Sequence, residues 1–388
     1  MFARPPEPQP RPAGIASWLT FVAVLIFVMI VVGGITRLTE SGLSMVRWEP
    51  ISGAIPPLNE ADWQREFDHY RATPQYQLVN TGMTLADFKT IFFWEYVHRL
   101  LGRLIGLAFA LPLLCFWWQR AIPAGYGWKL GGLFGLGGLQ GAIGWWMVAS
   151  GLVDVPEVSH IRLAVHLLLA FGIFAAVIWV SLDLNALAKD AGARPVKLPL
   201  LGIWALCLTF LQFLFGAYVA GLEAGYAFNS WPLMGDALFP AEAPMLEPFA
   251  RNFVDNPLVV QFVHRWLAFV VAAVAVWLGV RAWRRGFRAD AALLVGAVLA
   301  QLLLGILTIL SGVQIDIAVA HQGMAALLLA ALVTAAHRLG GSRSERALPL
   351  DGGGLGGGGD AAGTEPVSES TPPQTPPHQG EGLPGTRA

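Results

Sequence analysis

Eight stretches of this chain are long and apolar enough to cross a bilayer as helices: Ser17–Thr36, Phe92–Trp118, Leu130–Ala149, Leu163–Leu182, Leu198–Ala220, Pro257–Val280, Ala291–Ser311 and Ile317–Ala336. About 20 such residues span the ~30 Å hydrocarbon core. Inside it, only helices and closed barrels leave no backbone group unpaired. The stretches are too long and alternate too little to be barrel strands. Composition agrees: charged residues are 13 % of the 388 and apolar residues 55 %, against ~25 % charged in soluble domains. The formal net charge of -1 supplies no basic field for nucleic acid. Cys115 and Cys207 both lie inside apolar runs, which leaves neither a disulfide framework nor a thiolate zinc site. The first stretch lacks a small-residue cleavage site and exceeds the length of a signal-peptide core, so it reads as a retained span.

Lys and Arg in the short loops set the orientation. One side holds Arg4 and Arg11, Arg120 and Lys129, Lys189, Arg194 and Lys197, then Arg281, Arg284, Arg285 and Arg288, and finally Arg338, Arg343 and Arg346. The short loops opposite hold Arg162 and Arg251. The expectation is a cell inner membrane protein with both termini cytoplasmic.

The chain also repeats itself. GGITRLTESGLS (Gly33–Ser44), closing span one, aligns without gaps with GAYVAGLEAGYA (Gly216–Ala227), closing span five; the same offset sets Trp48 on Trp231. Span two opens EYVHR (Glu95–Arg99) and span six QFVHR (Gln261–Arg265). Span three carries QGAIGWWMVASGL (Gln140–Leu152) and span seven QLLLGILTILSGV (Gln301–Val313). Four spans return the chain to its starting side, so the two units share one topology about an axis near the membrane normal.

The expected fold is therefore an all-α membrane protein of eight transmembrane helices, arranged as two tandem pseudo-symmetric four-helix bundles. A cytoplasmic N-terminal tail covers 1–15. The first unit covers 16–182, including a long outer loop over 37–91. A cytoplasmic linker covers 183–197 and the second unit 198–339. The Gly- and Pro-rich segment 340–388 has too few apolar residues to bury and is expected to be a disordered cytoplasmic tail.

Ionisable residues within spans are costly and are functional candidates by default. Here four histidines, His98, His166, His264 and His321, sit near the outer ends of spans two, four, six and eight. One alone would be a packing residue; four at repeat-related places, two per unit, point to a bound group. Zinc would require further ligands, and no Cys or carboxylate cluster supplies them. Haem iron takes two axial ligands, and its ring needs a large apolar slot of the kind helix bundles provide. The glycines of span three, Gly131 to Gly144, fit such a slot and fit close helix packing equally well. Arg99 and Arg265 each follow a candidate ligand and suit propionates; snorkelling to the interface is the other reading. His69 reads as a solvated loop residue, His160 lacks a counterpart in the second unit, and His337 reads as interfacial. Glu95 lies one turn before His98, where the second unit has Gln261. That asymmetry fits proton-coupled chemistry in the first unit and cofactor binding in the second.

The stretch GGITRLTESGLSMVRWEPISGAIPP (Gly33–Pro57), the EYVHR motif and the paired histidines resemble haem A synthase of the proteobacterial and mitochondrial branch (type 2), over about residues 15–340. The resemblance implies an oxidoreductase that converts the C8 methyl of haem O to a formyl group, giving haem A for terminal oxidases. It implies that His98 and His166 flank the substrate haem O, with Arg99 beside it and Glu95 as the essential acid. It further implies that His264 and His321 ligate a haem b cofactor next to Arg265. Haem sites toward the periplasmic face, a haem O synthase as partner, an electron partner of unstated identity and a homo-oligomer belong to the same expectation. Gram-positive relatives carry a cysteine pair in the first outer loop, and this chain has none there. Two other readings stay open on spacing alone: a bis-histidine membrane cytochrome b for electron transfer, and a haem carrier or assembly factor without catalysis. Four ligands near one face disfavour the first, and Glu95 speaks against the second.

Overall fold

The computed structural model describes residues 9–47, 49, 52–153 and 155–341. Among them the regular structure is helical, with an isolated bridge between Met234 and Ala237 in place of any strand. The helices run α1 (Pro12–Leu38), α2 (Glu60–Arg71), α3 (Pro74–Leu78), α4 (Leu85–Trp118), α5 (Gly127–Val148), α6 (His160–Lys189), α7 (Leu200–Gly221), α8 (Asn252–Asp255), α9 (Pro257–Arg284), α10 (Arg288–Leu310) and α11 (Ile315–Gly341). Seven of these, α1, α4, α6, α7, α9, α10 and α11, are long and apolar enough to cross a membrane. On α4, Leu104, Leu107, Leu111 and Leu114 are 49–62 % exposed at helical spacing. Such a stripe is stable only against lipid, and the chain is a membrane protein. The third expected span is α5, 22 residues long and so ~33 Å at ~1.5 Å per residue, but its glycines dilute its apolar character.

Local signals explain the helix starts. Pro12 and Pro257 stand at first helical positions, where a missing N–H is harmless. Thr84 and Asp87 form a reciprocal capping box for α4. The Ser159 side chain accepts from the Arg162 amide at the head of α6.

Helix α1 is the hub, packing on α4, α6 and α11. Ile15, Ala16 and Leu19 are fully buried. Few, well-placed polar contacts join it to its neighbours, as usual where lipid removes the hydrophobic drive between helices. Trp18 Nε1 donates to the Ala108 carbonyl of α4 at 2.8 Å, and Ser181 Oγ of α6 donates to the Ala16 carbonyl at 3.0 Å. Gln322 Nε2 of α11 donates to the Ile30 carbonyl at 2.7 Å, over Gly34, where a Cβ would stand 3.0 Å from the Gln322 amide oxygen.

Several expected boundaries shift for physical reasons. Helix α6 runs through residue 183, where the linker was expected to begin, as far as Lys189, because Asp183 is a core residue. Its side chain is 1 % exposed and takes His337 Nε2 at 2.9 Å, the Val196 amide at 3.0 Å and Lys129 Nζ at 3.6 Å. His337 is accordingly buried rather than interfacial. A second ion pair, Asp290 with Arg338 at 3.4 Å, ties α10 to α11. The expected tail over 340–388 lies outside the described residues apart from Gly340 and Gly341, which close α11; most of the tail over 1–15 and Trp48 lie outside them too. In α5, a Cβ on Gly131, Gly132, Gly135, Gly137, Gly138 or Gly141 would meet nothing within 4 Å. These glycines therefore do not serve close packing within the chain.

The loop over 37–91 is folded, not merely polar. Helices α2 and α3 and the first turns of α4 enclose Trp63, Phe67, Tyr70, Tyr76, Phe88 and Phe92. Tyr70 and Phe88 are fully buried, their rings 5.3 Å apart. The Tyr70 hydroxyl donates to Gln75 Oε1 and accepts from Asn80 Nδ2, and burial pushes its pKa up from the ordinary tyrosine value. Phe88→Ala removes the centre of this cluster, a loss of ~3–5 kcal/mol for a buried aromatic. The expected result is rapid protease cleavage between residues 60 and 84 with the membrane helices intact; the uncut loop of the parent protein is the comparison.

Candidate functional site

His166, His264 and His321 lie within about two turns of the first residues of α6, α9 and α11. His98 lies deeper into α4, because α4 begins outside the expected span. Each imidazole rests on a glycine near the C-terminal end of a neighbouring helix. A Cβ at Gly144 of α5 would stand 2.9 Å from His166 Cε1; at Gly216 of α7, 3.0 Å from His264 Cε1; at Gly305 of α10, 3.0 Å from His321 Cε1; and at Gly33 of α1, 3.4 Å from His98 Nε2. Glycine is what lets ring and backbone meet. All four imidazoles therefore sit at one end of the bundle, where the even expected spans begin and the odd ones end.

The rings form two pairs. His264 and His321 face each other with centroids 6.5 Å apart and planes at 85°. Two imidazoles each ~2 Å from one metal have ring centres about 6 Å apart, so the pair is spaced for a single ion between them. His98 and His166 are within electrostatic reach of one another. Among the described residues no cluster of three or more His, Cys, Asp or Glu could hold a metal. Two axial nitrogens with the remaining ligands supplied by a porphyrin is the donor set that fits.

Beside each pair lies a carboxylate or amide with an arginine. Glu95 is 2 % exposed. Its Oε2 accepts from Ser44 Oγ at 2.6 Å and from the Met45 amide at 2.7 Å, and its Oε1 accepts from Arg99 Nη2 at 2.6 Å. Arg99 also donates to the carbonyls of Met45 and Arg47. In the second half, Arg265 donates to the carbonyls of Phe228 and Ser230, which occupy the same repeat positions as Met45 and Arg47, and Gln261 Nε2 donates to the Phe228 carbonyl. Glu40 and Glu223, another aligned pair, share a left-handed backbone with φ of 51° and 53°. The two arginines thus make matching backbone contacts, whereas Glu95 accepts from Ser44, Met45 and Arg99 and Gln261 donates to a carbonyl. Arg265 is buried with its Nε lacking a partner, an open donor suited to an anionic oxygen. The Arg99 guanidinium is shared among three acceptors within the protein.

A family model described as cytochrome oxidase assembly protein (COX15-CtaA) matches residues 16–333. The chain belongs to this family. Its relatives include a protein named Heme A synthase from Rhizorhabdus wittichii, 53 % identical over 87 % of this chain and 98 % of that one. One of the same name from Sphingopyxis alaskensis is 51 % identical over 85 % of this chain and 93 % of its own length. Another from Nitrosospira multiformis is 48 % identical over 84 % and 93 %.

Within this family member the remaining histidines stand apart from the pairs. His160 Nε2 lies 3.2 Å from Asp255 Oδ1 and its ring meets Tyr218. His69 is half-buried, not fully solvated, with a buried Nδ1 that lacks a partner. The sequence reading passed over three glutamines, Gln140, Gln212 and Gln301, as chemistry-bearing groups. Each lies four residues before its glycine, and their side-chain amides approach His166, His264 and His321 at 3.2, 3.0 and 3.4 Å. The signal was visible as Q-x-x-x-G recurring in spans three, five and seven.

Arg265→Met would leave the Ser230 carbonyl without its side-chain donor, at about 1–3 kcal/mol for a buried group left unsatisfied, while the Phe228 carbonyl keeps Gln261 Nε2. The expected outcome is a lower melting temperature and faster proteolysis in the segment 228–235. Arg265→Lys should recover little of either, because an ammonium cannot reproduce the guanidinium fork.

Proposed function

We propose that this chain is a haem A synthase, an oxidoreductase that converts the C8 methyl of haem O to a formyl group. In this reading α5 is the eighth span and the helices form two tandem four-helix units in the inner membrane. Haem O lies in the first, between His98 and His166, and haem b in the second, on His264 and His321. The observation that carries the reading is a pair of equivalent histidine sites of which only one has a buried carboxylate beside it; the relatives' shared name supports it. The shared contacts of Arg99 and Arg265 with repeat-related carbonyls support the two-unit arrangement.

Haem b, when bound, supplies one-electron exchange at its iron. The chain's own residues do the rest. Glu95 is anchored by Arg99 and Ser44 one turn from His98, which fixes the carboxylate at the edge of the first site. Turning a methyl into a formyl group brings in one oxygen atom, from water or O2, and gives electrons to a redox partner and protons to a base; Glu95 Oε2 is the base placed to receive a proton, with Ser44 Oγ hydrogen-bonded to it. Gln261, at the second site, cannot do this. Arg265 Nε is the donor open to a propionate of haem b.

The deciding experiment is an extracted-haem chromatogram from membranes expressing the protein together with a haem O synthase. Haem A is expected from the parent protein. Glu95→Gln, which copies the second site into the first, should keep its haem but lose at least the ~10²-fold typical of a missing general acid or base. Haem O remaining unconverted with the parent protein would favour a haem carrier instead.

The orientation has its own test. With Lys and Arg concentrated on the side of the termini, a reporter active only outside the cytoplasm and fused after Arg346 should be silent, whereas one inserted near Ala243 should be active.

A further inference from the structure

Three of the four imidazoles are held by a glutamine and one is not. Gln140, Gln212 and Gln301 share a helix face with Gly144, Gly216 and Gly305, since residues four apart lie one above the other. Each neighbouring ring thus meets the same two features, a bare backbone against its edge and an amide against a nitrogen. Gln140 and Gln212 also donate to the backbone carbonyls of His166 and His264 themselves, at 3.0 and 2.9 Å, which ties the amide to the residue it orients. The amide oxygens of all three glutamines are buried and without partners, as is His321 Nδ1. Each glutamine thus carries a free acceptor beside a ring that holds an N–H on one nitrogen once the other binds metal.

On α1 the pattern breaks. Gly33 is present under His98, but the residue four before it is Met29, which carries no N–H or O–H donor. Met29 Cε lies instead against Gly102 of α4, 3.5 Å from where a Cβ would be. Gln75 and Gln322 are committed to backbone carbonyls of Glu40 and Ile30, and among the described residues the His98 ring has no hydrogen-bond partner.

A ligating histidine almost always gives its second ring nitrogen to a partner, and loss of that partner lowers metal affinity ~10–100-fold. We propose that Gln140, Gln212 and Gln301 are positioning residues for the haem ligands, and that His98, opposite Met29, is the ligand built to let go. The inference rests on the assignment of substrate to the first half and haem b to the second, and it deepens it. A resident haem needs two fixed ligands. A substrate haem has to enter and leave at every turnover, which one fixed ligand, His166, and one loose ligand, His98, allow.

The test uses the purified full-length protein carrying its haem, with release measured as transfer to excess apomyoglobin and the haem midpoint potential by redox titration. Gln212→Met and Gln301→Met, which copy Met29 into the second half, should speed release of haem b ~10–100-fold and shift its potential. Met29→Gln, which completes the pattern, should slow release of haem from the first half by a similar factor and leave haem A bound to the protein after the reaction. Gln212→Glu, which keeps an acceptor, should restore slow release. His264→Ala separates the two readings: if it retains all its haem b, the site assignment itself falls. If His264→Ala loses haem b while the Gln→Met variants keep the parent's release rate and potential, and Met29→Gln changes nothing, the glutamines are packing residues and this proposal is overturned.

Discussion

An imidazole inside a bilayer has to find its partners within the protein, because lipid offers none. Here a helix brings a glycine to the ring edge four times, and three of the four rings take a glutamine amide as their partner. Much of the architecture follows. The glycines fix how close α1, α5, α7 and α10 approach α4, α6, α9 and α11, and an added methyl at three of them would come within about 3 Å of a ring carbon. Interiors of this density transmit such a displacement rather than absorb it.

The two halves keep their geometry while exchanging their chemistry. Glu95 and Gln261 occupy one position, Met29 and Gln212 another. At the opposite end of the bundle, in the registers that align Gln140 with Gln301 and His166 with His321, Lys129 corresponds to Asp290 and Asp183 to Arg338. The ion pair between helices is retained with its signs reversed. A pair of opposite charges attracts two helices whichever helix carries which charge, and loss of Lys129 would leave the buried Asp183 with one cation fewer. His337, which joins Asp183 from α11, has no equivalent in the reversed pair, and links the halves only once.

The helical class, the aligned motifs and the four histidines were legible in the sequence because each depends on residue type at long range; of the eight expected spans, seven are long and apolar enough to cross a membrane among the described helices, and α5 is not. Glu95 stood out for the same reason. The folded outer loop did not, because Trp63, Phe67, Tyr70 and Phe88 are scattered among charges over 30 residues and become a core only when α2 packs on the start of α4. Asp183 was placed in a linker because a charge near a span end ordinarily marks the interface; its partners come from α5 and α11, too far along the chain for pattern to connect. Gln140 and Gln301 were quoted within the repeat but not weighed as chemistry, and Gln212 was passed over, since an amide in a helix is unremarkable until the ring beside it is seen. Gly131 to Gly141 invited a packing explanation that their open surroundings do not bear out.

Gly33 and Gly34 are consecutive residues of α1, yet they serve different halves. Gly33 underlies His98, and Gly34 lies against Gln322, the immediate neighbour of His321. One turn of one helix therefore touches His98 of one pair and the chain neighbour of His321 of the other. Side-chain bulk at that turn bears on both ligand sites at once, so neither glycine can change size for the sake of one half without affecting the other.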